Sequence, residues 1–432
     1  MRRHLHRTLV RLAPALALAL TVTAGLAVAA GPARAETMVR ECKASNISCI
    51  SFSGYNGKSV WGFPVGSTGN NCVNYAAYRL SHNGVATISG LGSGGSWAAN
   101  ARKKGYRVDT TPKVGSIAQW NYGSAYAPSQ GHVGYVEEVT SGYIVISDSA
   151  WSGYSSRWRV PRGDRNWPSN FIHIKDQAYL PPPSGSFLKV RETGEIYRLV
   201  GRAPVYVSTW TAFGGTKPTY LVSSTSLATL PARPADGTFI QGAQRREIYR
   251  IAGGAPVAIS TWTAVGGAKP FVTVDQVAID KAGTGGRYNH LLALPVEGTF
   301  VQGGQRSEVY RIAGGAPVYV SSWTAFGGKK PYVRVDQVAI DKAGSSMRFN
   351  HLRFRPLDGT ILAASPTTSY YRVSGGAPVP TSTATGAKGV DKVAIQHAGD
   401  TSSPRWTHLA KGPAAKDRHV TISPRRVVVT RR

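Results

Sequence analysis

Acidic residues are scarce in this chain. Asp and Glu total 22 against 51 Lys and Arg, so the formal net charge is +29, although charged residues make up only 17% of the 432 positions. The positive sign therefore reflects missing acids, and such a surface attracts polyanions, either nucleic acid or an anionic cell envelope. Cysteine is nearly absent too: three residues cannot staple a chain of this length, which excludes a pure disulfide scaffold. Disorder is excluded by an apolar fraction of 42%, close to the globular norm. Length predicts two or three folded units.

Long apolar runs are missing except at the start. Arg2, Arg3, Arg7 and Arg11 precede an apolar stretch from Leu12 to Ala30, and Ala33-Arg34-Ala35 follows with small residues at cleavage-site spacing. This layout predicts a signal peptide over 1–35. A retained anchor is the alternative, against which Pro14 and the Gly and Thr interruptions count. Cleavage after Ala35 removes five arginines and no acid, leaving +24. The expected mature protein is secreted, has no membrane span and no specific nucleic-acid partner. In an oxidising compartment Cys42 and Cys49 are close enough in sequence to close a small loop, which leaves Cys72 as the odd thiol.

Pro181-Pro182-Pro183-Ser184 breaks the chain and predicts a stiff linker over 181–184 between a first domain, 36–180, and a repeat region, 185–410. Ile196-Tyr197-Arg198, Ile248-Tyr249-Arg250, Val309-Tyr310-Arg311 and Tyr370-Tyr371-Arg372 are one element repeated four times. The tyrosines lie 52, 61 and 61 residues apart. The short first unit lacks the Val-Asp-Gln-Val-Ala-Ile-Asp-Lys-Ala-Gly stretch of 274–283 and 335–344. Each unit reads as β, with short strands in unit 2 around the turn Gly253-Gly254-Ala255-Pro256 and one helical turn near Asp275 to Lys281. Units this small must stack, as an array or a closed ring. Trp210, Trp262 and Trp323 recur, either as sugar-stacking rings or as each unit's own core. Arg198, Arg250, Arg311 and Arg372 form either a ladder toward anionic polymers or a solvated edge. Residues 411–432 are a basic tail of +6.

Chemistry concentrates in the first domain. Asn70 or Asn71 is a good N-cap, Gly84 a good stop, and Val73, Ala76, Ala77 and Leu80 recur at helical spacing. Cys72 then sits in a first helical turn, where the dipole and free amides stabilise a thiolate and can hold an oxyanion. Downstream, His132 to Val139 and Tyr143 to Trp151 predict a hairpin about Thr140-Ser141-Gly142. Pairing about Ser141 places His132 opposite Ala150, with Asp148 a diagonal neighbour on the same face. Glu137 falls on the other face; Glu138 shares the face of His132 but lies about 20 Å along the strand at ~3.4 Å per residue. Cys72, His132 and Asp148 form a candidate catalytic set.

Asn71-Cys72-Val73, Gly115-Ser116-Ile117-Ala118-Gln119-Trp120, Gly131-His132-Val133 and Phe171-Ile172-His173-Ile174-Lys175 resemble the CHAP family of cysteine, histidine-dependent amidohydrolases and peptidases over about residues 55–178. The resemblance implies an α+β, papain-like fold followed here by an all-β repeat region of four units. It implies Cys72 as nucleophile, His132 as base, and Asp148 in the place of the family's usual Glu. Ala150 stands where Asn is frequent, and Ser116 where Asp often follows Gly. The acidic calcium loop of some members has no counterpart, so no metal or other cofactor is expected. The implied reaction is amide hydrolysis in peptidoglycan, as a muramoyl–alanine amidase or an endopeptidase; the rival is a wall-binding protein that kept the fold. Asn71, Trp120 and Trp151, with Trp61, are candidates for the substrate groove. The repeats resemble modules of secreted actinobacterial proteins, which implies attachment to peptidoglycan or another anionic wall polymer. His290 and His351 recur as Asn-His-Leu without nearby acids or thiols.

Overall fold

In the computed structural model, the described residues are 37–44, 58–66, 71–151, 154–179, 181–367 and 369–412, with the backbone of 419–423 and 426–430. The expected signal peptide, Cys49 and Asn70 lie outside them. The fold is mixed α and β, mostly sheet, and no helix among the described residues is long and apolar enough to cross a membrane.

The first domain is a seven-stranded antiparallel sheet. Its strands are β1 (Val39–Ala44), β2 (Arg107–Asp109), β3 (Ile117–Trp120), β4 (His132–Val139), β5 (Tyr143–Ala150), β6 (Tyr154–Pro161) and β7 (Asn170–His173), in the order β1-β6-β5-β4-β3-β7-β2. Two helices, α1 (Cys72–His82) and α2 (Trp97–Lys103), cover one face. Strand alternation divides the core. Val133, Tyr135, Ile117 and Ile172 pack with Tyr75, Leu80 and Trp97 of the helices. On the opposite face Trp120, Val136, Ile144, Ile146, Val160 and Phe171 form a second cluster.

The β4–β5 register departs from the expected one near the turn. Val139 pairs with Ile144 and Glu138 with Val145, one residue off the register centred on Ser141. A bulge between Val136 and Glu138 absorbs the offset, so Tyr135 pairs with Ser147 as anticipated. Extending that register puts His132 across from Ala150. The bulge also reverses facing at the turn end, which corrects the expectation for Glu138. Its partner Val145 has the parity of Ser147, whose hydroxyl bonds Tyr75 of α1. Glu138 therefore faces the α1 side, away from the imidazole.

Each repeat unit is a four-stranded sheet: three antiparallel strands, then a fourth that returns parallel to the first. In unit 2 these are Phe239–Gly242, Ile248–Ala252, Ala255–Ile259 and Val272–Val274, followed by a helical turn, Gln276–Asp280. Asp275 caps that turn through Val277 N–H and also accepts the amide and hydroxyl of Ser208 in unit 1, both at 2.6 Å. Asp336 does the same to Ser260 and Asp391 to Ser321. This reach-back explains why the Val-Asp motif recurs: it fastens each unit to its predecessor. His290, His351 and His408 have a similar role, each with Nδ1 on a carbonyl of the preceding unit. The recurrent tryptophans belong to the units' own aromatic clusters, Trp210 on Phe187, Trp262 on Phe239 and Trp323 on Phe300.

Unit 1 does contain the helical turn, Ser224–Ala228, capped by Ser223 where the others have Asp. What it lacks is the nine-residue loop that follows the turn in units 2 and 3, 282–290 and 343–351. Its helical turn packs on β4, as the corresponding turns of later units pack on the preceding unit's hairpin. The first domain thus occupies the place of a preceding repeat, and the array is open rather than a ring.

The contact between them is charged and buried. Glu138 meets Arg157 and Arg191 and accepts the Ser223 amide at 2.8 Å; Glu41 meets the same two arginines. Tyr179 packs in the core of unit 1 and Pro182 is buried, so 181–184 does not act as a free tether.

Candidate active site

Cys72 is the first residue of α1. Asn71 is extended and caps the helix, its Oδ1 accepting Val73 N–H at 3.1 Å while its amide donates to the Pro64 carbonyl at 2.7 Å. No acid occupies the first turn, so no carboxylate of the helix itself opposes an anion there. Cys72 is a free thiol, whereas Cys42 is disulfide-bonded.

His132 opens β4. Gly131, at φ 64°, sits so close to Gly95 that a Cβ would lie 2.3 Å from the Gly95 Cα, and Gly95 N–H bonds the Gln130 carbonyl. That backbone crossing fixes where the imidazole begins. Its Nε2 lies 2.8 Å from Asp148 Oδ2. The ring also hydrogen-bonds Cys72, and Nδ1 is the nitrogen left for that contact. Asp148 is 2% exposed. It is held by two further donors, Tyr126 Oη to Oδ2 at 3.1 Å and Trp158 Nε1 to Oδ1 at 3.2 Å.

The electrostatics follow from this geometry. Burial alone pushes the Cys72 thiol up. The His132 charge, its hydrogen bond and the Val133 amide outweigh burial, and the pKa falls below its usual value. Burial alone lowers the His132 pKa, yet Cys72 and Asp148 raise it to about 10. Each partner thus favours the charged form of the other, the thiolate beside an imidazolium. Tyr126 is driven up by burial and by the adjacent Asp148, so it remains a donor.

A cleft of about 580 Å³ opens on this pair, lined by Phe63, Asn71, Cys72, Ser93, His132 and Trp151 among others. Trp151 is 59% exposed at its rim, above Gly66. Trp120 lies elsewhere: it is wholly buried behind the imidazole, its Nε1 donating to the Asn166 carbonyl and its ring 5.7 Å from that of His132. This corrects its expected place in the groove, because strand parity turns it into the core. Trp61 packs at the edge of the α1 core. Ser116 closes a turn by donating to the Lys113 carbonyl at 2.6 Å, and Ala150 lines the cleft. No sequence pattern singles out Tyr126 or Trp158. One lies in a loop and the other on the next strand, and neither belongs to a spacing pattern. No group of three or more His, Cys, Asp or Glu able to hold a metal occurs among the described residues.

Glu137 stands apart from this chemistry. It forms a two-point buried pair with Arg79 of α1 and accepts the Ser147 hydroxyl at 2.5 Å. Burial raises its pKa, but Arg79 more than compensates and holds the carboxyl below its usual range.

Residues 60–150, which carry Cys72, His132 and Asp148, match the family model described as CHAP domain. Similar proteins include the "Probable autolysin LDP" of Staphylococcus aureus, 37% identical over 101 residues that span 22% of this chain and 34% of the relative. A "Putative hydrolase" of Streptococcus mutans is 39% identical over 83 residues, 18% of this chain and 38% of that one. The chain spans little more than a third of the length of these curated relatives. A solved N-acetylmuramoyl-L-alanine amidase from Staphylococcus aureus aligns at 28% identity over 25% of this chain and 30% of its own, with a TM-score of 0.23, too low to support an argument from shape.

Proposed function

We propose that this chain is a secreted peptidoglycan hydrolase that cleaves an amide bond through a thioester on Cys72. One observation carries the reading: a free thiol at a helix start hydrogen-bonds an imidazole whose far nitrogen is 2.8 Å from a buried carboxylate, inside an open cleft. The Cys72 thiolate attacks the carbonyl carbon, and the oxyanion forms beside the amides that begin α1. The His132 imidazolium gives its proton to the leaving amine. Neutral His132 then takes a proton from water, which attacks the thioester and regenerates the thiolate. Asp148 keeps the ring oriented and stabilises its charged form.

The match to a CHAP domain and the autolysin and hydrolase names of the relatives support the substrate class. A relative named "Staphylococcal secretory antigen SsaA" supports export, together with the signal-like residues 1–35. A helix presenting the thiol against a sheet presenting His and Asp is the arrangement a papain-like reading requires. The bond is the muramoyl–alanine amide or a peptide bond of the stem or cross-bridge. Digestion of purified peptidoglycan followed by mass spectrometry tests the proposal. New amine and carboxyl termini are expected with the intact chain and not with Cys72→Ser; intact peptidoglycan after both treatments overturns it.

A further inference from the structure

The arginine that follows the repeated tyrosine meets different surroundings along the array. In unit 2, Arg250 Nη1 donates to the Arg334 carbonyl of unit 3 at 2.6 Å. In unit 3, Arg311 donates to the Gly389 carbonyl of unit 4. The corresponding neighbour of Arg198 is Thr273 of unit 2, but no such bond forms. Among the described residues Arg198 has no acceptor and no carboxylate; its Nε, like that of Arg311, is buried without a partner, but Arg198 lacks the cross-unit bond that Arg311 makes. Leaving a cation partly desolvated without a counter-charge is unfavourable.

The seam is open at that point for a reason written in the sequence. Between units 2 and 3, Gly304 lies against unit 2 so tightly that a Cβ there would fall 1.8 Å from the Ala264 carbonyl oxygen. Between units 3 and 4, the hydroxyl of Ser365, one repeat later, donates to the Ala325 carbonyl. Unit 2 carries Ala243 at this position. A methyl group can neither make the glycine's close approach nor donate the serine's hydrogen bond. Between units 1 and 2 a cavity of about 680 Å³ remains, with Ala243 and Ala212 both in its wall.

We propose that this seam is a binding site for an oxyanion, a phosphoryl or carboxylate group, carried by a cell-wall polymer. The identity of the polymer rests on the function proposed above; the anion chemistry does not. Arg198 is the anchor. Its guanidinium lies 4.1 Å from the Phe187 ring centroid and 5.9 Å from that of Phe213, contacts that hold it in the cavity wall without using its N–H donors. A planar fork of N–H donors suits both kinds of oxyanion. Lys217 and Arg246 line the same cavity, and no acid does. Phe187, Phe213 and Tyr220 supply an apolar wall for the part of the polymer beside the charge.

The test is co-sedimentation with purified walls, using the full chain carrying Cys72→Ser so that no digestion occurs. One wall preparation keeps its phosphodiester polymers. The other is stripped of them with hydrofluoric acid and retains peptide carboxylates. Arg198→Gln should weaken binding about tenfold, the scale of one charge-assisted hydrogen bond. Arg372→Gln, at the same repeat position but exposed on unit 4, should not. A loss confined to the unstripped wall identifies a phosphoryl ligand; a loss that persists on the stripped wall identifies a carboxylate. Wild-type binding by Arg198→Gln on both walls, or an equal loss with Arg372→Gln, overturns the site. If Arg198→Gln lowers the melting temperature, the exposed pair Lys217→Gln and Arg246→Gln decides: several-fold weaker binding is expected, and unchanged binding overturns the proposal. None of these readings depends on hydrolysis, so failure of the proposed activity leaves them valid.

Discussion

Nε2 of His132 and Oδ2 of Asp148 are 2.8 Å apart, and the same oxygen accepts the hydroxyl of Tyr126 at 3.1 Å. The carboxylate is therefore held from behind while it holds the ring. Asp148→Ala should cut turnover by about a hundredfold or more, as triad losses do elsewhere. Tyr126→Phe removes one donor and leaves the ring packing, so a loss of several-fold in kcat with little change in KM is expected. Equal kinetics for Asp148→Ala and the parent chain would show that the imidazole needs no orienting acid.

The charge pair predicts the pH profile. The proposed mechanism requires Cys72 deprotonated and His132 protonated. It should rise through a thiol pKa below the ordinary value of 9.0 and fall near 10, where His132 loses its proton. Asp148→Asn removes a group that raises the His132 pKa, so the alkaline limb should move to lower pH. The folded His132 pKa lies above the ordinary 6.5. The stability linked to it is therefore complete below 6.5 and lost as pH rises through about 10. Rates of iodoacetamide alkylation across pH measure the thiol limb directly. An alkylation midpoint at or above 9.0 contradicts the ion pair.

Sequence parity alone makes Glu137 a bystander whose removal is silent. The structure gives a different expectation. Glu137→Ala leaves the Arg79 charge buried without its carboxylate, which should cost about 3–5 kcal/mol of stability. The double variant Arg79→Met with Glu137→Ala should recover most of that. Denaturant unfolding of both variants checks the claim, and an unchanged midpoint for the single variant refutes it. Glu137 keeps a depressed pKa in the fold, so its contribution is present above the ordinary 4.5 and lost as pH falls through the folded value.

The parts legible in the sequence were local or periodic. The start of α1, its Asn71 cap and the thiol at the first position follow from neighbours within four residues. The facing of His132 and Asp148 follows from strand parity, although the turn was misplaced by one residue and the bulge restored the register. That compensation was invisible, since no residue type marks a bulge between Val136 and Glu138. It is also why strand parity alone puts Glu138 on the wrong face. Tyr126 and Trp158 reach Asp148 from outside the hairpin, so no spacing rule finds them. The repeats announced their stacking through period and motif. Their docking onto the first domain depends on four charged residues, Glu41, Glu138, Arg157 and Arg191, scattered over 150 positions.

That docking yields the last prediction. Glu138 is fully buried between Arg157 and Arg191, and only Arg191 comes from the repeat side. Cutting the chain after residue 180 removes Arg191 together with the Ser223 amide. Two carboxylates then share Arg157, and the face of β4 that carried the helical turn of unit 1 meets water. Arg191→Ala in the full chain isolates the charge effect, and a loss of about 3–5 kcal/mol is expected for a broken buried pair. A 36–180 fragment should unfold at lower denaturant than the first domain does within the full chain. Glu138→Gln in that fragment should recover part of the difference, because it relieves the uncompensated carboxylate. Hydrogen exchange on β4 and β6 reads the same effect by residue, with protection falling in the fragment. If the fragment matches the full chain in both measurements, the repeats are a separate appendage and the buried charges do not join the two parts.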